Sequence, residues 1–253
     1  LNIGSLKLNP KELYPKEALE ANKTNIGKYD VDKEGGIIDV KTGKLPEFII
    51  GFPFPDADID KDPEKAPVKI LHNTQYSRYC TGHLRASPAL KLEWINPSAL
   101  ERRVEVDYTS GMYSGYSGAK DIPNPERFIY KNIVKVTAPY DVAGTAVLLW
   151  RYQDNRRDVN FSYIPAIRRV RRMSPASRSD AFLGSDLCFD DTAGYDGKIQ
   201  DFIWKAVRTQ TAVVPWCSDH LQLLVKPATT MGWGTTKDMV TGEYGYNTKG
   251  WKG

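Results

Sequence analysis

Four arginines stand almost consecutively at Arg168, Arg169, Arg171 and Arg172, and an acidic stretch follows at Asp180, Asp186, Asp190 and Asp191. Guanidinium forks grip carboxylates and phosphates in the same two-pronged way. The cluster therefore has three readings: ion pairs with the downstream aspartates, anionic head groups held at the mouth of a cavity, or nucleic acid. On one continuous strand Arg169 and Arg171 face one way and Arg168 and Arg172 the other, so no flat basic patch results. The net charge of +4 comes from 35 basic and 31 acidic residues, a balance too even to argue for a nucleic-acid partner.

Other reactive residue types assemble nothing catalytic. Gly184-Ser185-Asp186 lacks the second glycine of a nucleophile elbow. Ser218, Asp219 and His220 are neighbours in sequence, which is not how a triad meets in space. Asp190 and Asp191 would point apart on a strand, unlike a glycosidase pair. Asp56, Asp58, Asp60 and Asp62 alternate as in a calcium loop, but the glycine and the closing glutamate are absent. Cys80, Cys188 and Cys217 have no C-x-x-C spacing, and His72, His83 and His220 do not complete a zinc set. The expectation is a protein without enzyme activity, metal or cofactor.

What must position these groups is mostly strand. The run from Val147 to Tyr152 and the one from Val159 to Arg172 flank the turn-rich Gln153–Asp158, a long hairpin, with Pro165 marking a bend or an edge. Upstream, Val104, Val106 and Tyr108 alternate with charged residues, and Phe128, Tyr130, Val134 and Val136 share one face of a further strand. Leu90, Leu92 and Trp94 alternate likewise. Thr211–Cys217 and Leu221–Lys226 read as two more strands. Helices are few: a short one after Pro15, one over 63–80 with Asp62 as a cap, and one over 196–207. Gly51-Phe52-Pro53-Phe54-Pro55 cannot be helix and reads as a hydrophobic strap. At 253 residues, 41% hydrophobic, the chain can bury a substantial core. No apolar run approaches the roughly 18 residues of a membrane span. Starting at Leu1 without Met is consistent with a removed signal peptide. The fold class is α+β: a strongly bent antiparallel sheet wrapped around a few helices. Residues 1–48 form a lead-in with a short helix, and residues 49–253 form the main domain.

Tyr163-Ile164-Pro165-Ala166-Ile167-Arg168-Arg169-Val170-Arg171-Arg172 resembles the Y-L-P-x-x-R-R-V-R-R strand of the LolA/LolB-like periplasmic lipoprotein carriers. Ser179 to Asp186 followed by Phe189-Asp190-Asp191 resembles the F-x-G-S/T-D loop and acidic pair that come after it there. With the Gly51–Pro55 strap and Trp150-Arg151-Tyr152, the chain is similar to one branch, the domain-of-unknown-function 1329 family, from about Phe48 to Val214. Cys188 and Cys217 depart from that pattern, and members continue past the position of Gly253, so a sheet incomplete at its C-terminal end is expected.

The resemblance implies a mitt-like half-barrel with an apolar cavity, located in the periplasm and associated with the outer membrane of a Gram-negative cell. It implies a non-catalytic carrier for a lipid, lipoprotein acyl chain or similar hydrophobe, passed to an RND-type exporter or an outer-membrane partner. The lining would come from Val106, Tyr108, Phe128, Tyr130, Val134, Leu148, Trp150, Tyr152, Phe161, Tyr163 and Ile167. Arg168, Arg169, Arg171 and Arg172, with Asp186, Asp190 and Asp191, would hold a head group or pair among themselves. The competing reading is an interaction module of the envelope with a filled core, since such aromatic stripes are more often simply core. In an oxidising periplasm Cys188 and Cys217, beside neighbouring strands, would form a disulfide; the rival is three free thiols.

Overall fold

Alternating apolar residues in consecutive runs build one antiparallel meander. The computed structural model describes residues 14–57, 59–95, 98–174, 178–210, 235–237 and 244–246. Its large sheet takes six strands in sequence order: β3 (Leu84–Ile95), β4 (Leu100–Met112), β5 (Phe128–Ala138), β6 (Ala146–Tyr152), β7 (Val159–Ile164) and β8 (Arg169–Met173). Each strand pairs antiparallel with the next. Among the described residues β3 and β8 do not meet, so the sheet is open rather than a closed barrel. A small pair, β1 (Tyr29–Val31) and β2 (Ile37–Asp39), precedes it.

Two helices complete this unit, which spans Leu8–Ala206. Helix α1 (Lys16–Asn25) starts just after Pro15, whose fixed φ suits a helix entrance. Helix α2 (Ala66–Tyr79) carries Pro67 in its first turn, and the Asp62 carboxylate accepts the Lys65 N–H at 3.1 Å ahead of it. The strap over 51–55 is pinned as the prolines suggest. Asn25 donates to the carbonyls of Ile50 and Phe52, Asn22 accepts from the Phe52 N–H, and Phe54 is buried. Gly51 sits at φ +68 with the Ala18 carbonyl 2.6 Å from where a Cβ would stand, so only glycine fits the strap there.

One core cluster joins Tyr29, Val31 and Ile37 of the small sheet, Phe54 of the strap, Tyr76 and Tyr79 of α2, and Met112 and Tyr130 of the large sheet. The core thus runs across residue 48. A second cluster packs Val104, Val106 and Val136 against Leu92, Trp94 and Leu183. Both lie on one face of the sheet, called the inner face below.

Two expectations fail here. The predicted helix over 196–207 is only a 3-10 turn at Ile199–Asp201. Ile203 is 93% exposed and Phe202 is exposed too, so no apolar stripe is buried to sustain a helix, and the Trp204 indole donates instead to the Ile199 carbonyl. The extended run read from Val159 to Arg172 does turn at Pro165, where a bend or an edge was expected, but it does not stay one strand and splits into β7 and β8. Pro165 opens a 3-10 turn, Arg168 takes φ 50, and the chain reverses, pairing Ile164 with Arg169. The strands read at Thr211–Cys217 and Leu221–Lys226 lie outside the described residues. The second unit, Leu1–Lys7 with Val207–Gly253, contributes β9 (Thr235–Lys237) paired antiparallel with β10 (Tyr244–Tyr246).

Candidate functional site

Register fixes which side chains share a face. Tyr108 lies opposite Val134, which lies opposite Val147; Ser110, Asn132, Leu149 and Asn160 form the next row, and Met112, Tyr130 and Arg151 the third. These rows make the inner face. Helix α2 covers one end of it through Tyr79, whose ring is 5.5 Å from that of Tyr130. The loop from Arg178 to Asp201 covers the other, with Leu183 in the valine cluster and the Trp94 indole donating to the Gly184 carbonyl at 3.4 Å.

Between helix and loop a cavity of about 100 Å³ remains. Its floor is Tyr108, Met112, Tyr130, Asn132, Val134, Val147 and Leu149, and Arg78, Tyr79, Arg178, Phe189 and Asp196 form its walls. A cavity near 150 Å³ accepts benzene, so this one has room for a few methylenes rather than a whole lipid. A second hollow, near Ile49 and Arg151, measures about 20 Å³ and has room for a water.

A buried charge network borders the cavity. Arg151, 2% exposed, donates through Nη2 to Asp158 at 2.7 Å and to the Asp196 carbonyl at 2.5 Å, and its Nη1 lies 3.4 Å from the Asp196 carboxylate. Arg178 donates to Asp190 at 2.5 Å and to the Asp196 carbonyl at 2.8 Å. Arg78 pairs with Asp196 at 3.1 Å, and the Tyr130 hydroxyl donates to the same carboxylate at 3.0 Å. Burial pushes the Tyr79 and Tyr130 hydroxyls up, keeping both as neutral donors. Burial opposes the charge of Arg151, but Asp158 and its other neighbours outweigh that and hold it well above its ordinary value. Lys198, whose ammonium contacts the Asp154 and Arg156 carbonyls, is lowered by burial. Three guanidinium groups and three carboxylates are thus paired with one another, while Arg78 Nε, Arg178 Nη1 and Asp158 Oδ1 are buried without a hydrogen bond. The arrangement presents fixed charges beside an apolar floor. Among the described residues no group of three or more His, Cys, Asp or Glu is placed to hold a metal ion.

The structure separates the residues singled out in the sequence. Tyr108, Tyr130 and Val134 line the cavity, and Val106 is buried beside them in the valine cluster. Leu148, Trp150, Phe161 and Tyr163 lie on the opposite, outer face, because their neighbours Val147 and Leu149 take the inner one. Phe128 joins them there, not Tyr130. The register slips between the two, so Phe128 pairs with Tyr152 at 4.9 Å and stands 5.9 Å from Trp150. Ile167 sits exposed in the turn before β8. These eleven positions therefore do not form one wall.

The charged set divides as well. Asp190 enters the buried network, but through Arg178. Asp186 and Asp191 are exposed, and Asp191 accepts the Cys188 N–H at 2.9 Å. Among the described residues none of Arg168, Arg169, Arg171 and Arg172 forms an ion pair, so the pairing with the downstream aspartates is not found. Cys217 lies outside the described residues. Sequence reading missed Arg78, Arg178 and Asp196, and no motif marks them. Val147 and Leu149 were legible only as half of an all-apolar run.

Comparison with known proteins follows the same lines as the motifs. The family described as "Protein of unknown function (DUF1329)" matches residues 7–240. The chain belongs to the DUF1329 family. A crystal structure of a DUF1329 family protein from Desulfovibrio piger is 23% identical, covering 49% of this chain and 48% of that one, with a TM-score of 0.36. A putative outer membrane lipoprotein-sorting protein domain from Vibrio parahaemolyticus is 19% identical over 51% of this chain and 50% of that one, with a TM-score of 0.36. The DUF1329 chain thus aligns over about half the length of either structure. A search of curated proteins gives no match. No described helix is long and apolar enough to cross a membrane.

Proposed function

We propose that this DUF1329 chain is a non-catalytic binding protein of the cell envelope that takes the end of a hydrocarbon chain into the inner-face cavity. The observation that carries the reading is the cavity itself: Val134, Val147, Leu149, Met112 and Phe189 offer an apolar floor and wall, while the titratable groups around it are tied to one another. Such occupied charges orient a ligand but supply no free nucleophile and base pair. Each buried methylene contributes about 0.8 kcal/mol, so a few methylenes give an affinity suited to hand-over rather than storage. The place of action is the periplasm, at the outer membrane, and the cargo is a lipid or lipoprotein acyl chain exchanged with an RND-type exporter or outer-membrane protein. Export would also permit a Cys188–Cys217 bridge, which leaves one free thiol in the denatured, unreduced chain instead of three.

Native mass spectrometry of the purified protein, with displacement of a fluorescent fatty acid, tests the proposal. Co-purifying acyl species and saturable displacement are expected. A protein that carries no lipid and does not bind the fluorescent fatty acid would instead be an interaction module. The outer face favours that second reading, because Trp150 and Phe161 are only half buried there.

A further inference from the structure

We propose that the β7–β8 hairpin tip docks the protein onto an anionic phospholipid bilayer. From Val159 to Met173 the sequence holds four arginines and no acidic residue. The structure folds this stretch into a narrow hairpin closed by the 3-10 turn Pro165–Ile167 and the left-handed Arg168. Apolar side chains that a soluble surface would hide are displayed at that end: Ile164 is 38% exposed, Ile167 44% and Val170 65%. All four arginines are exposed beside them and lack any ion pair among the described residues. Arg156, by contrast, is exposed but held by Asp154 at 2.8 Å.

Neither half of this pattern decides alone. Unpaired arginines by themselves are a solvated edge, and scattered exposed aliphatics are common. Together, at one turn of the sheet edge, they match the two layers of a membrane surface. Guanidinium forks engage lipid phosphates, their alkyl stems lie along the glycerol region, and short aliphatic side chains reach the acyl boundary. A basic surface with no acidic residue from Val159 to Met173 is complementary in charge to an anionic bilayer. The docking site is separate from the inner-face cavity and does not depend on what that cavity holds.

Co-sedimentation with vesicles tests the inference. The protein should partition onto phosphatidylcholine vesicles containing phosphatidylglycerol, far less onto phosphatidylcholine alone, and should be released by salt. Each arginine removed near the surface should weaken binding roughly fivefold, so R168Q/R169Q should lose about 25-fold. Ile167→Asp should lose binding as well, and Arg156→Gln, an exposed but already paired arginine, should lose none. All these side chains are surface ones, and circular dichroism checks that the variants fold. Equal partition onto neutral vesicles, no partition at all, or full binding by R168Q/R169Q would overturn the proposal.

Discussion

The two faces of the sheet over β5–β7 both mix polar and apolar side chains, but they differ in where the charge is buried. The inner face, covered by α2 and the 178–201 loop, carries Asn132, Asn160 and the fully buried Arg151. The outer face carries Phe128, Trp150 and Phe161, a ladder of rings 5.9 and 5.4 Å apart, with Lys131 3.9 Å from the Phe128 centroid. Toward β3 and β4 the outer face becomes ordinary, with Arg103 paired to Glu93 at 2.6 Å and Lys91 to Glu105 at 3.3 Å. Charge is buried on this protein where α2 and the 178–201 loop cover the sheet, while the rings of the other face pack mainly against one another. The cost of covering charges is offset in part by their mutual ion pairs, since a lone buried ion is far less tolerable than a paired one, although Arg78 Nε, Arg178 Nη1 and Asp158 Oδ1 stay buried without a hydrogen bond.

Breaking the inner network gives the largest expected effect. Arg151→Met leaves Asp158 and Asp196 buried without their main partner and should cost about 3–5 kcal/mol in urea unfolding. The double variant R151M/D158L should cost less than the sum of its single changes, because it removes both charges of the closest pair.

A second buried polar group sharpens the point through pH. Burial lowers the His72 imidazole from 6.5 to about 4, and its Nε2–H donates to the Gly35 carbonyl at 2.8 Å. Between those values the unfolded chain binds a proton that the folded chain does not, so stability falls as pH drops from 6.5 toward 4. The loss should total about 3 kcal/mol. His72→Gln can keep the donor but does not titrate. Unfolding midpoints at pH 7.5 and 4.5 should differ less in that variant than in the parent.

The outer face should respond more weakly. Trp150→Ala removes ring contacts worth about 0.5–1.5 kcal/mol each pair, from a side chain only half buried, so about 1–2 kcal/mol is expected. R168Q and R172Q should change stability by no more than about 0.5 kcal/mol, because neither has a partner to lose. A larger loss at Trp150 than at Arg151 would mean that the faces had been assigned the wrong weight.

The order of β3 to β7 was legible because each shows period-two alternation or a β-prone run between turn signals, whereas β8 was merged with β7 into one run; α2 was legible from Asp62, Pro67 and its three-to-four spacing. Facing was not. Val147 to Trp150 is apolar on both sides, so periodicity cannot choose between Val147 with Leu149 and Leu148 with Trp150. The register slip after Phe128 defeats a simple count of two, and no residue type announces it. The charged wall was hidden for a different reason. Arg78, Arg178 and Asp196 come from a helix and a loop distant in sequence, and only tertiary packing brings them within 3.1–3.7 Å.

The central claim is that ligand occupies the inner face, and two adjacent residues test it most directly. Val147 points into the cavity and Leu148 points to the opposite face. In a fluorescent fatty-acid titration, Val147→Trp should fill the cavity and abolish saturable binding, while Leu148→Trp should bind within about twofold of the parent, a change near 0.4 kcal/mol. Binding lost in Leu148→Trp and kept in Val147→Trp would contradict the account.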